Sequence, residues 1–366
     1  MPETTRPLRL LVVMPSWVGD AVMATPALRL LRDAIPGATI GGLMRPGIDQ
    51  VLAGLDSLDE LHVFRPQGMM APKRGANLVR PRRYDTALLL TNSFSTALIT
   101  RLAFIGRRVG YDRDGRGMLL TQKLRAPKRP DGSWAIIPAV TYYHHAAAAL
   151  LDPSAPELEA PALDRADRVD LPLPAGTRME LACTERDEAA AADLFTRAAL
   201  DPGAPYAVLN PGGNDELKRW PTDRFAALAD HLAGAHGVRI FVAGSPAEAG
   251  LGRAIAERAS CNVTALPDLG LTLGALKPIL ARARLLVTND TGPRHIAAAL
   301  GTPVVSLFGP TDARWTTIPF KREAVVLADP DLPPGESAND HPSRCAITRI
   351  STERVVEAAN GLLTPS

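Results

Sequence analysis

The sequence has only three cysteines in 366 residues, and no apolar run in it is long enough to cross a membrane. Cys183, Cys261 and Cys345 are odd in number and lack CxxC spacing, which argues against a disulfide framework and against a zinc site. A membrane helix needs about 20 consecutive apolar residues, and the opening MPETTRPLR is too polar for a signal peptide. We expect a cytoplasmic globular protein in which the cysteines are packing residues.

Several nucleotide-binding and hydrolase motifs are absent as well. No GxGxxG follows the first apolar run, and GxxxxGK, HExxH and GxSxG do not occur. These motifs mark dinucleotide-binding dehydrogenases, P-loop NTPases, zinc peptidases and esterases. Their absence disfavours all four classes of enzyme.

The length and composition predict two globular domains. Hydrophobic residues make up 46% and charged residues 22% of the chain, which is a globular balance, and 366 residues exceed one ordinary domain. From Ala126 to Pro174 prolines are frequent and the apolar pattern weakens, except at a helix predicted near 142–151. We therefore predict domains at residues 1–178 and 179–366. The last helix-like stretch, 351–363, is a candidate to pack back across the first domain.

Both halves alternate strand-like and helix-like patterns. The apolar run at 8–14 is typical of a strand buried on both faces, and helical spacing follows it until Pro36 and Gly37. Further strands are predicted near 38–44, 61–64 and 86–90, with a helix near 95–103. This alternation predicts an α/β fold with a doubly wound sheet.

The second half is the stronger candidate for binding a nucleotide. After a helix-like stretch at 184–200, four short apolar runs each end in Gly, Pro, Asn or Asp: YAVLNPG, RIFVAGS, ARLLVTND and PVVSLFGP. Such runs resemble parallel strands whose carboxyl ends carry loops at one edge of a sheet, where open α/β sheets bind ligands.

The motif PSWVGDAVMATP follows the first strand. Ser16 and Gly19 are candidate substrate contacts, with Gly19 allowing a tight turn. Asp20 is a candidate general base, because a carboxylate within hydrogen-bond reach can deprotonate a sugar hydroxyl. The alternative is that Asp20 is only a helix N-cap, which contributes about 1 kcal/mol.

A second motif, LNPGGNDELKRWP, ends a predicted strand. A glycine turn at Gly213 lets backbone N–H groups approach phosphates, and Lys218 supplies a positive charge for a pyrophosphate. Asn214 lies in the same loop. The alternative is that 218–220 is a plain surface turn.

The third motif is VTNDTGPRHIAAALG. Asp290 or Thr291 can cap a helix that begins near Pro293, whose free N–H groups and positive end would face a ligand such as the ADP pyrophosphate. We expect Asp290 to contact a sugar or cap the helix rather than touch phosphate. His295, one turn into the helix, is interpreted as structural unless it reaches the substrate.

Positive charge is concentrated in the first half, although the net charge is only +2. Residues 65–83 carry six basic and no acidic side chains, and 101–129 carry nine basic side chains against Asp112 and Asp114. The stretches are either a solvated face or a surface for a polyanionic partner. Nucleic acid is disfavoured as that partner because few aromatic residues are interleaved.

Taken together, these motifs resemble glycosyltransferase family 9, the ADP-heptose:lipopolysaccharide heptosyltransferases, from about Leu8 to the final helix. The resemblance implies a GT-B fold, in which two Rossmann-like domains face each other across a cleft and the C-terminal one binds the donor. It also implies an inverting transfer of heptose from ADP-L-glycero-D-manno-heptose to the lipopolysaccharide inner core. No metal and no other cofactor are expected.

The resemblance also assigns roles by position. Asp20 matches the family's catalytic base and Lys218 its phosphate-binding lysine. Asp290, Thr291 and Gly292 match residues that contact the donor's phosphates and sugar. Glu248 is a candidate ribose partner. Gly213 and Asn214 stand where some relatives carry two hydroxyl residues, so the preference for heptose stays open.

The partners implied are a nucleotide-sugar donor, an anionic Kdo-lipid A acceptor held by the basic stretches, and peripheral contact with the inner membrane. Two alternatives remain. One is a family member that uses a different nucleotide sugar or acceptor, and the other is a non-catalytic module that binds sugar nucleotides or glycolipids. The joint presence of Asp20 and Lys218 disfavours the module.

Overall fold

A computed structural model describes residues 7–201 and 203–364. The chain divides into two units: Met1–Pro161 with Leu171–Met179, and Ala162–Asp170 with Glu180–Ser366. Each unit contains one sheet of six strands. The short stretch Ala162–Asp170 belongs to the second unit although residues of the first unit follow it in the chain.

The first sheet is parallel throughout, in the order β3-β2-β1-β4-β5-β6. Because β1 is flanked by β2 and β4 and covered on both faces, Leu10, Leu11 and Val12 are fully buried, as the apolar run predicts. The predicted strands before residue 90 are confirmed. The strands are Arg9–Val13 (β1), Thr39–Met44 (β2), Glu60–Val63 (β3), Thr86–Leu89 (β4), Arg107–Tyr111 (β5) and Gln122–Leu124 (β6).

Among the described residues, five α-helices lie between these strands in the chain and a sixth follows β6: Val18–Met23 (α1), Thr25–Ala34 (α2), Ile48–Leu52 (α3), Ala71–Val79 (α4), Phe94–Leu102 (α5) and Ala139–Leu151 (α6). The prediction of a single helix between the first strand and Pro36 is wrong, because this stretch forms two helices, α1 and α2, that meet at Ala24. Pro26 has no N–H to donate to the carbonyl of Val22, and the hydroxyl of Thr25 donates to that oxygen instead, at 2.8 Å.

The second sheet repeats the order of the first. All its strands are parallel, in the order β12-β11-β10-β7-β8-β9. The four apolar runs of the second half form four of these strands, as predicted. The strands are Tyr206–Asn210 (β7), Arg239–Val242 (β8), Val263–Ala265 (β9), Leu285–Asn289 (β10), Val304–Phe308 (β11) and Glu323–Leu327 (β12).

The helices of the second unit are Glu185–Arg197 (α7), Thr222–His236 (α8), Ala249–Arg258 (α9), Leu273–Arg282 (α10), Gly292–Ala299 (α11) and Thr352–Leu363 (α12). A reciprocal capping box between Thr184 and Asp187 starts α7. The final helix, α12, packs on α8 and on β10, β11 and β12. Its residues Val355 and Ala359 are fully buried in the core of this unit.

The shared strand order confirms the α/β prediction of two doubly wound sheets. In each sheet the chain reverses its direction of winding beside the first strand, between β1 and β4 and again between β7 and β10. Loops at the carboxyl ends of such neighbouring strands leave a crevice where open α/β sheets bind ligands. Within the described residues, no helix is long and apolar enough to span a bilayer.

Candidate active site

Asp20 lies at the winding reversal of the first sheet, on α1, directly after β1. The helix begins at Val18 with Trp17 as its N-cap, so Asp20 is the third residue of α1 and the N-cap alternative is wrong. The carboxylate is half-buried. Tyr143 of α6 donates its hydroxyl hydrogen to Asp20 Oδ1 over 2.9 Å.

Tyr143 is a residue of this site that sequence reasoning missed. Burial, and next the Asp20 carboxylate, raise the pKa of Tyr143 well above its ordinary value. The tyrosine therefore stays protonated and remains a hydrogen-bond donor. The pattern predicts a helix around residue 143, but nothing local in the sequence pairs it with a side chain 123 positions away.

Ser16 and Gly19 flank this carboxylate in the chain. Ser16 lies in the bend that ends β1 and is half-buried. Gly19 is the second residue of α1, so the tight turn predicted at this glycine is wrong: the chain bends at Ser16 and Trp17 instead. Substrate contact by either residue stays a prediction.

In the second unit, the side chain of Asn289, the last residue of β10, holds the loop after β7 through hydrogen bonds. Its amide Nδ2 donates to the carbonyls of Pro211 and Gly212 over 2.8 and 3.1 Å. Its Oδ1 accepts the backbone N–H of Trp220 at 3.3 Å. Asn289 and Trp220 are buried, so residues 218–220 are not a plain surface turn.

Glu248 fixes the other side of the same loop. Its Oε1 accepts the N–H of Gly213 at 2.8 Å, while its Oε2 accepts the backbone N–H and the hydroxyl of Ser245 at 2.9 and 2.8 Å. Burial opposes ionisation, but these hydrogen bonds keep the pKa of Glu248 below its ordinary value. Arg219 donates to the Gly213 carbonyl over 3.0 and 2.8 Å. Glu248 therefore positions the loop, and its contact with ribose stays a prediction.

Gly212 lies directly against this carboxylate. A Cβ atom on Gly212 would lie 2.5 Å from Glu248 Oε1, so the carboxylate would have to move to make room for it. The N–H of Gly213, predicted as a phosphate donor, is bonded to Glu248. Asn214 follows in the loop and is exposed.

Lys218 and Asp290 meet at the carboxyl edge of the second sheet. The ammonium of Lys218 lies 4.0 Å from Asp290 Oδ2, and both side chains are partly exposed. Thr311 donates its hydroxyl hydrogen to the same carboxylate oxygen at 3.2 Å. Asp290 therefore meets a hydroxyl and a cation, the N-cap position of α11 belongs to Thr291, and contact of Asp290 with a sugar stays a prediction.

Thr291 is the N-cap of α11, and Gly292 is its first residue, as the motif predicts. No cap hydrogen bond from the Thr291 side chain is seen. Its hydroxyl accepts a hydrogen from Asn210 Nδ2 at 2.8 Å and lies 3.1 Å from the hydroxyl of Thr288. Buried hydrogen bonds therefore hold Thr291 where the first N–H groups of α11 open toward the sheet edge.

His295 is buried in α11. Burial, and next the positive charge of Arg294, lower its pKa well below the ordinary value, so the imidazole is neutral. Its Nδ1 is among the buried polar atoms of residues 7–364, apart from 202, that lack a hydrogen-bond partner. Arg294 anchors the helix by donating to the carboxylate of Glu323 over 2.6 and 3.1 Å and to the carbonyl of Thr316 over 3.0 Å. Substrate contact by His295 stays a prediction.

Two of the basic side chains expected to face a polyanion are instead bonded within the unit. Arg116 is fully buried and donates to the carbonyls of Thr91 and Tyr111 and, over 3.2 Å, to Asn92 Oδ1. Arg108 of β5 is half-buried and donates to carbonyls of the neighbouring loops, including that of Leu119 at 2.7 Å. The prediction is wrong for these two, because the loops at either end of β5 need donors for carbonyls that the sheet leaves unpaired.

The family model of glycosyltransferase family 9 (heptosyltransferase) matches residues 74–340. Lipopolysaccharide heptosyltransferase 2 of Escherichia coli strain K12 is 27% identical over 97% of this chain and 99% of its own length. The structure of a glycosyl transferase family 9 protein from Veillonella parvula superposes with a TM-score of 0.78 at 21% identity, covering 97% of both chains. That of E. coli ADP-heptose lps heptosyltransferase II gives 0.75 at 24% identity, over 97% of this chain and 98% of that one. The twin doubly wound fold is shared with both structures.

Proposed function

The chain belongs to glycosyltransferase family 9, the heptosyltransferases, and from that premise we propose a specific reaction for it. It transfers heptose from ADP-L-glycero-D-manno-heptose to the inner core of lipopolysaccharide, in the manner of heptosyltransferase II. Full-length similarity to heptosyltransferase 2 of E. coli supports this choice of donor and acceptor. The motifs PSWVGDAVM and PGG…KRWP and the block after Asn289 support it from the sequence.

The proposed chemistry is a single displacement with inversion at the anomeric carbon. Asp20 takes the proton of the acceptor hydroxyl as its oxygen attacks the anomeric carbon. The new glycosidic C–O bond forms on the face opposite ADP, while the bond from the anomeric carbon to the phosphate oxygen breaks and ADP leaves with that electron pair. A β-linked donor thereby gives an α-glycoside through an oxocarbenium-like transition state.

Negative charge grows on the departing diphosphate and has to be stabilised. Lys218 supplies a full positive charge, and the first N–H groups of α11 supply the positive end of a helix dipole. Since these groups belong to the protein, we propose that the transfer needs no metal ion.

One observation carries the proposal. The ammonium of Lys218 lies 4.0 Å from the carboxylate of Asp290, and Asp290 directly precedes the N-cap of α11. Both residues lie at the carboxyl edge of the second sheet, where its winding reverses. A cation and a helix N-terminus at this place suit the diphosphate of a sugar nucleotide.

The acceptor is proposed to be a Kdo-lipid A core, an anionic glycolipid, bound by the first unit at the cytoplasmic face of the inner membrane. Exposed basic side chains after β3, including Arg65, Lys73 and Arg74, are placed to meet its phosphates and acidic sugars. Exposed apolar side chains lie at the same edge of the sheet, among them Trp17 and Met69. Such a surface suits an amphipathic anionic partner better than a soluble sugar.

The decisive experiment is Asp20→Asn, assayed by release of ADP from ADP-heptose with a truncated core acceptor. We expect loss of transfer by at least about a thousandfold, because the amide cannot accept the proton. ADP binding, measured by calorimetry, should be nearly unchanged since the donor groups belong to the second unit. Near-normal turnover would remove Asp20 from the chemistry, and a panel of nucleotide sugars in the same assay would expose a different donor.

A further inference from the structure

The orientation of the Asp20 carboxylate is not set by its own helix alone. α1 has six residues, and no side-chain hydrogen bond caps it at Trp17. Asp20 is half-buried at the start of this short helix, and α6, which packs against α1, reaches it from 123 residues away. A base that must meet a hydroxyl hydrogen needs a fixed direction as well as a charge.

We propose that Tyr143 is a positioning residue for Asp20, whose buried hydroxyl holds one carboxylate oxygen, orients the other toward the acceptor and favours the ionised form. The inference rests on the proposed function, in which Asp20 is the base. It is carried by the 2.9 Å hydrogen bond from Tyr143 to Asp20 Oδ1 and by the burial of Tyr143, which is 7% exposed.

Tyr143 is itself held in place by the packing of α6. The adjacent Tyr142 stacks on Tyr111 with ring centroids 3.8 Å apart, and its hydroxyl donates to Asn92 Oδ1 at 3.1 Å. α6 also packs along α2. Tyr143 therefore belongs to a helix that is fixed by these contacts, and its hydroxyl cannot move away from Asp20 unless they are lost.

The hydroxyl of Tyr143 keeps its hydrogen, and so can donate it to Asp20, throughout the working pH range. Burial and the neighbouring carboxylate both raise the pKa of Tyr143 above its ordinary value. A neutral donor bonded to a carboxylate stabilises the charged form of that carboxylate, which lowers its pKa. Loss of the hydroxyl should therefore raise the pKa of Asp20, and the base should protonate at a higher pH than in the wild type.

Other ionisable side chains lie on the helices packed against α1. They are Arg29, Arg32 and Asp33 of α2, Asp49 of α3, and Tyr142, His144 and His145 of α6. Arg29 pairs with Asp56 and Arg32 with Asp59, at 2.6 Å for the second pair. Burial lowers the pKa of His144, which keeps its ring neutral near pH 7. The ring of Tyr142 meets that of Tyr143 edge to face, with centroids 6.0 Å apart. A change that keeps the Tyr143 ring preserves this contact, so a shift that follows it reports on the hydroxyl.

The test is Tyr143→Phe, which keeps the ring and its packing and removes only the hydroxyl. We expect the acid limb of the kcat/KM profile to move up by about one pH unit, the size expected for one hydrogen bond to a charged group. Above that limb, kcat should fall roughly tenfold because the carboxylate is less well aligned. The KM for the donor should stay the same.

Tyr206→Phe is the matched control. Tyr206 is also buried and donates its hydroxyl hydrogen to the carbonyl of Ile279 at 2.7 Å, in the second unit. It should reproduce any general loss of stability without moving the acid limb. An acid limb that stays in place in Tyr143→Phe, or moves equally in the control, overturns the proposal.

A second measurement does not depend on catalysis. NMR titration of ¹³C-carboxyl-labelled aspartate, with the Asp20 signal identified by its loss in Asp20→Asn, should give a higher pKa for Asp20 in Tyr143→Phe than in the wild type. An unchanged pKa refutes the positioning role even if Asp20 is the base. A raised pKa together with an active Asp20→Asn enzyme would instead refute the proposed function and leave the contact intact.

Discussion

The two units share one strand order but present different carboxyl edges. In the second unit the edge is polar and internally bonded: Asn210, Thr288 and Asn289 are at most 3% exposed, and their side chains bond each other, Thr291 and the Gly212 loop. In the first unit the loops at this edge carry apolar side chains open to solvent. Trp17 is 65% and Met69 98% exposed.

The contrast extends over each whole unit. Of the ten large hydrophobic side chains exposed within the described residues, nine lie in the first unit and only Leu217 in the second. Buried polar groups are costly unless every one is bonded, so a web of this kind is rigid and suits a small ligand of fixed geometry. An open apolar edge beside basic residues suits a large amphipathic partner. This difference supports the division that we propose, with the donor in the second unit and the glycolipid acceptor in the first.

Lys218→Ala is expected to give the largest effect that separates the two edges. Removing the cation beside the leaving diphosphate should lower kcat/KM for the donor by about 10² to 10³, as for loss of one strong transition-state contact. The KM for the acceptor should change little. Steady-state kinetics with each substrate varied in turn measures both.

The matched control for this change is Lys321→Ala. Lys321 is another lysine of the second unit, exposed where Lys218 is only partly exposed, and it precedes β12 and so lies toward the opposite edge of the sheet. If the two variants lose donor efficiency equally, the effect is one of general charge and the assignment of Lys218 fails.

Gly212→Ala should have a smaller effect of the same kind. The new Cβ would lie 2.5 Å from the Glu248 carboxylate, so the hydrogen bond from the Gly213 N–H to that carboxylate has to break. We expect donor affinity to fall roughly tenfold, the scale of one or two lost charged hydrogen bonds. Calorimetry with ADP measures it.

Gly234→Ala offers a comparison in the same unit. Gly234 is exposed inside α8, and its added Cβ would meet no atom within 4 Å. It should stabilise the helix by about 0.5 to 1 kcal/mol and leave ADP binding unchanged. If ADP binding is also unchanged in Gly212→Ala, the hydrogen bond between Gly213 and Glu248 is not needed to bind the donor.

The sequence predicts four of the six strands in each unit, and the reason is physical. In the second unit these four strands are continuous apolar runs because they are covered on both faces. β9 and β12 lie at the two sides of the sheet and carry polar residues such as Thr264 and Glu323, so they lack that pattern. In the first unit β6 is also a strand at the side of the sheet and carries Lys123. β5 lies between β4 and β6 but begins with Arg107 and Arg108, so it too lacks a continuous apolar run.

The chemistry of the site is predicted less completely than its location. Motifs locate Asp20, Lys218 and Thr291 because each follows a strand at the edge where ligands bind. Tyr143 and Asn289 are missed because their roles depend on contacts with residues more than 70 positions away. Glu248 is predicted as a ribose contact, yet its bonds to Ser245 and Gly213 become visible only once the chain has folded.

Chelation should have the smallest effect, and it tests the contrast most directly. If the second unit meets the diphosphate charge with Lys218 and the N-terminus of α11 alone, EDTA should leave the initial rate of transfer unchanged. Added Mg²⁺ should then give no gain, because the site already supplies the positive charge that a metal would bring.

The matched measurement repeats the chelation with Lys218→Ala. A metal ion that merely screens the diphosphate in solution should partly restore this variant and leave the wild type unaffected, since only the variant lacks a cation at that position. If chelation lowers the wild-type rate and one added divalent ion restores it, Lys218 and the N-terminus of α11 do not by themselves neutralise the charge of the diphosphate. The rigid edge of the second unit would then have to be understood as one side of a metal-bridged site.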